Sequence, residues 1–334
     1  MNEYLLDRYG RKISIFLSDG EKEVNLYKPC LEFFKKELTN SNNTKNIIKK
    51  MLITHSRKVI LFKHPIITTK TILNYLLENG LGGIKSLYSK ELFARNILPK
   101  FLQIYLKLKK EPINVSLHFE NKKVHMGVNY FSYIPQLMMI LEIWIKDQYD
   151  AFKSVKNKIV FDVGANQGVF SIYAAILGAR KVYAFEPVPE TFKVLQENIR
   201  LNKLEDKIIP IQAGVGDKEQ ESIIYYDRVG DMGASFCESP GKMNKIKVKI
   251  VTIDEFVKKE KIPHVDFIKI DTEGFEKEVL LGAKETIREW KPILSLSAYH
   301  RPEDKETLPK VIKSIRSDYN IKLNRYGDED FYCY

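Results

Sequence analysis

Two acidic clusters, each ending an apolar run and each containing glycine, hold the residue types in this chain that could do chemistry. The first is DVGANQG, Asp162 to Gly168, after the apolar stretch KIVF. The second is FIKIDTEGFE, Phe267 to Glu276, with Asp271, Glu273 and Glu276 following the run VDFIKI. Gly164 and Gly168 lack a β-carbon, so the first turn can be tight and a ligand can lie against its backbone. In the second cluster Asp271 and Glu273 stand two apart in extended chain and can face the same side. Carboxylates in such a position can hold an ammonium group, take a proton from a substrate hydroxyl, or hold a divalent cation. Glu276 falls in the first turn of the next helix, where the helix dipole alone accounts for a carboxylate. His300, after the apolar run ILSLSAY, falls at the same edge and is a second candidate base.

The chemistry of the first cluster narrows its ligand. Strand, glycine-rich turn and helix is the arrangement that admits a nucleotide-like molecule. The spacing is acidic-x-Gly-x-x-x-Gly, not Gly-x-Gly-x-x-Gly. A dinucleotide pyrophosphate prefers bare amides at a helix start, whereas Asp162 suits a ligand that carries positive charge. S-adenosyl-L-methionine, with a sulfonium and an ammonium group, fits that preference. A second apolar strand, KVYAFEP, ends in Glu186, 24 residues after Asp162. About 20 residues is the spacing at which a strand-end carboxylate meets a ribose diol.

These groups need a sheet to position them. From Lys158 onward strands are expected at 158–163, 181–186, 207–212, 265–270 and 292–298, and helices at 168–178, 189–202, 276–290 and 304–316. That alternation predicts an α/β fold with a parallel sheet covered by helices on both faces. Two β-runs, at 222–227 and 245–253, interrupt it. Between them the small and turn-forming residues Arg228 to Lys242 predict a long connection near the site. Upstream, Ile113 to Val128 alternates apolar and polar residues around Glu120-Asn121-Lys122 and reads as a hairpin. Ile134 to Asp150 reads as a helix with Pro135 in its first turn. Residues 1–110 read as mostly helical and irregular, with helices at 69–80 and 91–110. The expected organisation is a mostly helical basic region over 1–112 and a catalytic domain over 113–334, of which 151–334 is the core.

Composition excludes several classes. Of 334 residues 44% are hydrophobic and 29% charged, as in globular proteins that live in water. No apolar run approaches a membrane span. The first twenty residues carry Glu3, Asp7 and Asp19 and do not read as a signal peptide. Cys30, Cys237 and Cys333 are scattered and odd in number, which fits a reducing, cytoplasmic compartment and gives no metal-ligand spacing. The net charge of +11 is concentrated: residues 45–110 hold 14 basic residues against Glu78 and Glu91. Such a segment attracts an acidic glycan or an anionic membrane surface, to which the protein would be peripheral, although a general bias toward lysine explains it equally well.

DVGANQG, AFEP, the loop GDMGASF (Gly230 to Phe236), TIDEF (Thr252 to Phe256) and IKIDTEGFE occur in the order of a known pattern. With them the chain resembles the FkbM family of S-adenosylmethionine-dependent methyltransferases, over about residues 113 to 300. The resemblance implies a Rossmann-like class I methyltransferase sheet that modifies hydroxyl groups of sugars, glycolipids or secondary metabolites. It implies that Asp162, Gly164, Asn166, Gly168, Glu186 and Pro187 hold the cofactor and that Asp271 and Glu273 border the reaction centre, with a small-molecule or glycan acceptor. QAGVGD (Gln212 to Asp217) matches the third-strand region but lacks an acid at the strand end. Two other readings are set against this one. A nucleic-acid methyltransferase is suggested by the basic segment, but no Asn-Pro-Pro-Tyr-type element is present and aromatics do not interleave with the basic residues. A non-catalytic module docking through 45–110 is opposed by the intact Asp162, Gly164, Gly168 and Glu186.

Overall fold

The computed structural model describes residues 5–18, 23–25, 113–119, 121–128, 139–226, 233–236, 244–325 and 328–334. The chain divides into two compact units, Met1–Leu141 and Glu142–Tyr334. In the first, β1 (Leu5–Leu6), β2 (Lys12–Ser18) and β3 (Glu23–Asn25) join the hairpin of β4 (Ile113–Phe119) and β5 (Lys122–Val128). The order is β1-β2-β4-β5, with β3 also on β2. Alternate residues Val115, Leu117 and Phe119 of β4, and Val124 and Met126 of β5, are buried, the pattern expected of an antiparallel pair with one covered face. The described part of residues 1–25 is therefore β-structure and not helix, and the hairpin groups with it instead of with the core. The helices expected at 69–80 and 91–110, and the whole basic segment 45–110, lie outside the described residues.

The second unit is built on a seven-stranded sheet. Its strands are β6 (Ile159–Val163), β7 (Lys181–Phe185), β8 (Ile208–Ile211), β12 (Phe267–Ile270), β13 (Ile293–Ser297), β14 (Ile321–Asn324) and β15 (Asp330–Cys333). A separate three-stranded sheet holds β9 (Gly214–Val215), β10 (Gln220–Tyr226) and β11 (Asn244–Val251). The order of the large sheet is β14-β15-β13-β12-β6-β7-β8. Five strands are parallel; β15 adds antiparallel to β13, and β14 adds antiparallel to β15. Every residue of β6 and β12 is buried, as parallel strands covered on both faces must be. The order runs outward to β8 in one direction and to β13 in the other, so the switch point lies between β6 and β12. Ligands bind beyond the carboxyl ends of such strands.

The helices are α1 (Val169–Ile176), α2 (Pro189–Leu201), α3 (Ile253–Lys259), α4 (Glu276–Leu281), α5 (Lys284–Trp290) and α6 (Asp304–Ile315). Among the described residues no helix is long and apolar enough to cross a membrane. Three expectations are corrected. The helix expected over 276–290 is broken: a β-carbon on Gly282 would lie 1.9 Å from the carbonyl oxygen of Gly216, and Asp254 restarts the chain as α5 by accepting the amides of Glu285 and Thr286. The β-run expected to reach Ile253 stops at Val251, because Thr252 Oγ1 accepts the amide of Glu255 and starts α3. The helix expected to reach Asp150 ends with a π-turn at Leu141–Ile145. Beyond it Asp147 adopts φ 47° and its carboxylate accepts the amides of Ala151 and Phe152, which turns the chain.

Candidate active site

The register of β6 against β12 puts both acidic clusters at one edge. Lys269 pairs with Asp162, and Ile270 with Val163. The two turns that follow touch through the backbone. The amide of Asp271 donates to the carbonyl of Val163 at 3.1 Å. A β-carbon on Gly164, which adopts φ +77°, would lie 1.8 Å from the carbonyl oxygen of Asp271. Gly164 is therefore glycine because of its neighbour strand. Gly168, at φ +86°, caps α1, and a β-carbon there would meet Leu195. Asn166 also adopts a left-handed conformation, at φ 50°.

Asp162 occupies a different place from the one its sequence position suggests. It is fully buried. Its Oδ2 accepts from Ser171 Oγ at 2.5 Å, and its Oδ1 lies 3.1 Å from Lys269 Nζ. Lys269, itself 4% exposed, donates to the carbonyls of Val163 and Gly164 at 3.3 and 2.7 Å. Asp162 thus neutralises the lysine that grips the glycine turn from below. Lys269 also sits over the ring of Tyr149 at 5.6 Å.

Glu186 stands at the tip of β7, with Pro187 half-buried behind it. Its oxygens accept the amides of Asn166 (3.0 Å) and Val188 (2.9 Å). Burial pushes its carboxyl up to about 7, opposed by these two amides and by Lys269. Each oxygen keeps acceptor capacity after one amide. In the same turn Gln167 is fully buried and neither atom of its amide has a partner. A turn without side chains at Gly164 and Gly168, an underused carboxylate and an orphaned amide fit a bound adenosyl cofactor.

The second cluster is tighter than the sequence implied. Asp271 Oδ2 accepts from Tyr149 Oη at 2.9 Å, and Oδ1 accepts from Ser297 Oγ at 3.0 Å. Burial opposes its charge, but Lys269, His300 and these two hydroxyls together hold its carboxyl below the usual range. Glu273 behaves oppositely. Burial raises its carboxyl, and the charges of Asp271 and Glu276 add to that while His300 opposes it. Glu273 also adopts φ 55°, a strained conformation for a side chain of its size and one often found at working sites. Its carbonyl accepts from Ser235 Oγ at 2.7 Å, which ties residues 233–236 to the site. The rest of the Arg228–Lys242 connection lies outside the described residues.

His300 sits among three carboxylates. Its Nδ1 is 2.8 Å from Glu276 Oε1, and its Nε2 is 3.5 Å from both Asp271 Oδ1 and Glu273 Oε1. Burial alone would lower its pKa, but Glu273, Glu276 and Asp271 raise it to about 11. As the site stands, His300 is cationic at neutral pH and is a poor base. Glu276 is almost wholly buried and accepts the amides of Thr272 and Gly274, so it shapes the turn as well as holding His300. Tyr149 and Ser297 escaped the sequence reading. Tyr149 lies inside a stretch read as helix, and Ser297 is one serine of a buried strand. The only signal for either was its position at the carboxyl edge.

Residues 162–323 match the family model described as the methyltransferase FkbM domain. The hexuronic acid methyltransferase AglP of Haloferax volcanii is 28% identical over 178 residues, covering 53% of this chain and 70% of that one. The methyltransferase sdnD of Sordaria araneosa is 25% identical over 174 residues, covering 43% and 67%. A crystal structure of an FkbM methyltransferase from Methylobacillus flagellatus KT is similar with a TM-score of 0.42 at 23% identity, covering 60% of this chain and 54% of that one. Residues 162–323, which carry both turns of the site, are an FkbM methyltransferase domain.

Proposed function

We propose that the protein methylates a hydroxyl oxygen of a sugar, a glycan or a secondary metabolite. The observation that carries this reading is the joining of the glycine turn and the Asp271–Glu273 turn at the switch point of one sheet, with the backbone of Gly164 against that of Asp271. When bound, S-adenosylmethionine supplies an electrophilic methyl group. The chain's own residues do the rest. Gly164 and Gly168 permit the left-handed turn along which the cofactor lies, and Glu186 offers acceptors to its ribose. An alcohol is a poor nucleophile near neutral pH, so the acceptor hydroxyl needs a base. Glu273 takes that part: its raised affinity for a proton suits it better than Asp271, which is held ionised by four partners. Asp271 orients the acceptor hydroxyl, and alignment of the reacting atoms supplies much of the acceleration.

The sugar class draws support from AglP, whose name specifies a hexuronic acid. On the same reading the protein acts in the cytoplasm, and the basic segment 45–110 meets an acidic glycan or an anionic membrane surface. The experiment is calorimetric titration with S-adenosylhomocysteine beside Glu186→Ala, followed by a screen of sugars and glycans with labelled methyl donor. Micromolar binding abolished by the substitution, with label incorporated into a hydroxylated acceptor, is the expected result. No binding to folded wild-type protein refutes the reading. Turnover retained in both Asp271→Asn and Glu273→Gln refutes the assignments of base and orienting group.

A further inference from the structure

We infer that Tyr299 is the acceptor-binding platform of this site: its ring takes the flat face of a sugar ring and leaves a hydroxyl on the rim of that sugar against Asp271 and Glu273. The inference deepens the proposed methyl transfer and rests on that reading for what the acceptor is. Among the described residues four large apolar side chains are exposed: Leu201, Ile223, Tyr299 and Tyr334. Single exposed aromatics are ordinary on a protein surface, so placement has to decide. Leu201 ends α2, which starts just past the carboxyl end of β7 and runs back toward the start of the parallel strand β8. Ile223 belongs to β10, in the separate small sheet. Tyr334 follows Cys333, which pairs with Leu294 near the amino end of β13. Tyr299 alone of the four follows the carboxyl end of a parallel strand, two residues past Ser297. That is the edge at which ligands bind in such sheets.

The residues on either side of Tyr299 are turned inward. Ala298 is fully buried and the His300 side chain is 6% exposed, whereas Tyr299 is 40% exposed. The rings of Tyr299 and His300 meet, with centroids 4.3 Å apart and planes at 54°. Nε2 of that histidine lies 3.5 Å from Asp271 Oδ1 and from Glu273 Oε1. Burial pushes the Tyr299 hydroxyl up, and the charges of Asp271, Asp328, Glu273 and Asp330 add to it, so ring and carboxylates share one neighbourhood. A pyranose matches that combination. Its C–H bonds form an apolar face with slightly positive hydrogens, which suits the negative face of an aromatic ring. Its hydroxyls project from the rim and donate to carboxylates, which accept only when ionised. An apolar surface beside a few fixed polar groups is the usual composition of a small-molecule site. A tyrosine ring loses little freedom on being covered, and contact with His300 already props this one.

The test uses the full chain and saturation-transfer NMR with the methyl glycosides of glucose, mannose, galactose and glucuronic acid, each titrated with and without S-adenosylhomocysteine. The expected result is transfer to the ring C–H protons of at least one glycoside. Its affinity should fall about fivefold or more in Tyr299→Ala and in Tyr299→Leu, and stay within about twofold in Tyr299→Phe. Tyr334→Ala, at the opposite edge, should change nothing. Circular dichroism reports whether each variant is folded, and Tyr299→Leu, which keeps an apolar side chain, separates loss of the ring from loss of bulk. No transfer to any of the four glycosides in the wild type, or equal affinity in wild type and Tyr299→Leu, overturns the inference. Cofactor binding without glycoside binding would sink the platform and leave the methyltransferase reading intact. Glycoside binding that depends on Tyr299, without cofactor binding, would do the reverse.

Discussion

Replacing Gly164 with alanine tests the claim that the cofactor turn and the acidic turn are one construction. Gly178 supplies the control, because both glycines have positive φ but only Gly164 is crowded. The nearest atom to a β-carbon on Gly178 is Lys156 Cγ at 3.6 Å, against 1.8 Å to the Asp271 carbonyl for Gly164. Gly178→Ala should cost only the left-handed conformation, about 1–2 kcal/mol. Gly164→Ala carries that cost too. It must also push the two turns apart by about 1.5 Å or more to reach van der Waals contact. That shift breaks the hydrogen bond from Lys269 Nζ to Gly164, worth about 1.5–3 kcal/mol with a charged donor. It also breaks the bond from the Asp271 amide to Val163, worth about 1 kcal/mol. The total is about 3.5–6 kcal/mol. A unit of this size loses about 2–4 °C of Tm per kcal/mol. The control should therefore fall by about 2–8 °C and Gly164→Ala by about 7–24 °C, some threefold more at any one conversion. Thermal unfolding by circular dichroism and calorimetry with S-adenosylhomocysteine are the assays. Equal losses of Tm and equal retained affinity in the two variants would refute the reasoning.

Lys269→Met should cost about 3–5 kcal/mol, because it leaves Asp162 buried without its cation; denaturant unfolding checks this, and adding Asp162→Asn should restore part of the loss. Glu186→Gln keeps one carbonyl acceptor and loses the charge, so affinity for S-adenosylhomocysteine should fall by about tenfold or more; unchanged affinity by calorimetry would remove Glu186 from the cofactor site. Asp330, almost wholly buried and bonded by Gln148, is pushed from 3.8 to about 8 by burial and by Asp271, Asp328 and Glu142. The folded state therefore binds its proton more tightly than the unfolded chain, so its contribution is full below the unfolded value and is lost as pH rises through about 8. Asp330→Asn lacks that loss, and its Tm relative to wild type should climb between pH 5 and 9 by the equivalent of more than about 1 kcal/mol; a flat difference would show that the carboxyl is not held protonated.

The parallel strands were legible because each is an apolar run followed by a turn signal. The observed β6, β7, β8, β12 and β13 fall within one or two residues of expectation. Local geometry was legible where a motif carried it: Gly168 adopts φ 86° at the start of α1, and Glu186 stands at the tip of β7. What escaped depended on distant partners. Gly282 breaks a helix because Gly216 lies against it, some 66 positions away in sequence. The strands β14 and β15 are short and become strands by addition, β15 to β13 and β14 to β15. The helix α3 had a readable sign in Thr252-x-x-Glu255, a capping pattern, hidden by the β-branched run before it. Asp162 illustrates a limit of motif reading: its place in the turn was correct, but its carboxylate faces Lys269 and Ser171 inside the protein.

That last point changes how the site's acidity should be understood. Of the carboxylates gathered at the switch point, Asp162 is spent on Lys269, and Lys269 is spent on the glycine turn. Lys269 also lies 3.9 Å from Asp271, so one buried cation supports the cofactor turn and lowers the proton affinity of the first acceptor-side carboxylate. Glu273, one turn further out, receives none of that support and is held by His300. The chain thereby sets two neighbouring half-buried carboxylates apart, one fixed and ionised, the other with a raised affinity for its proton. Separating the two by environment is what lets groups of identical chemistry take different parts in one reaction. It follows that substitutions at Lys269 should be felt on both sides of the site at once, in cofactor affinity and in the pH dependence of turnover, whereas substitutions at Glu273 should be felt on the acceptor side alone.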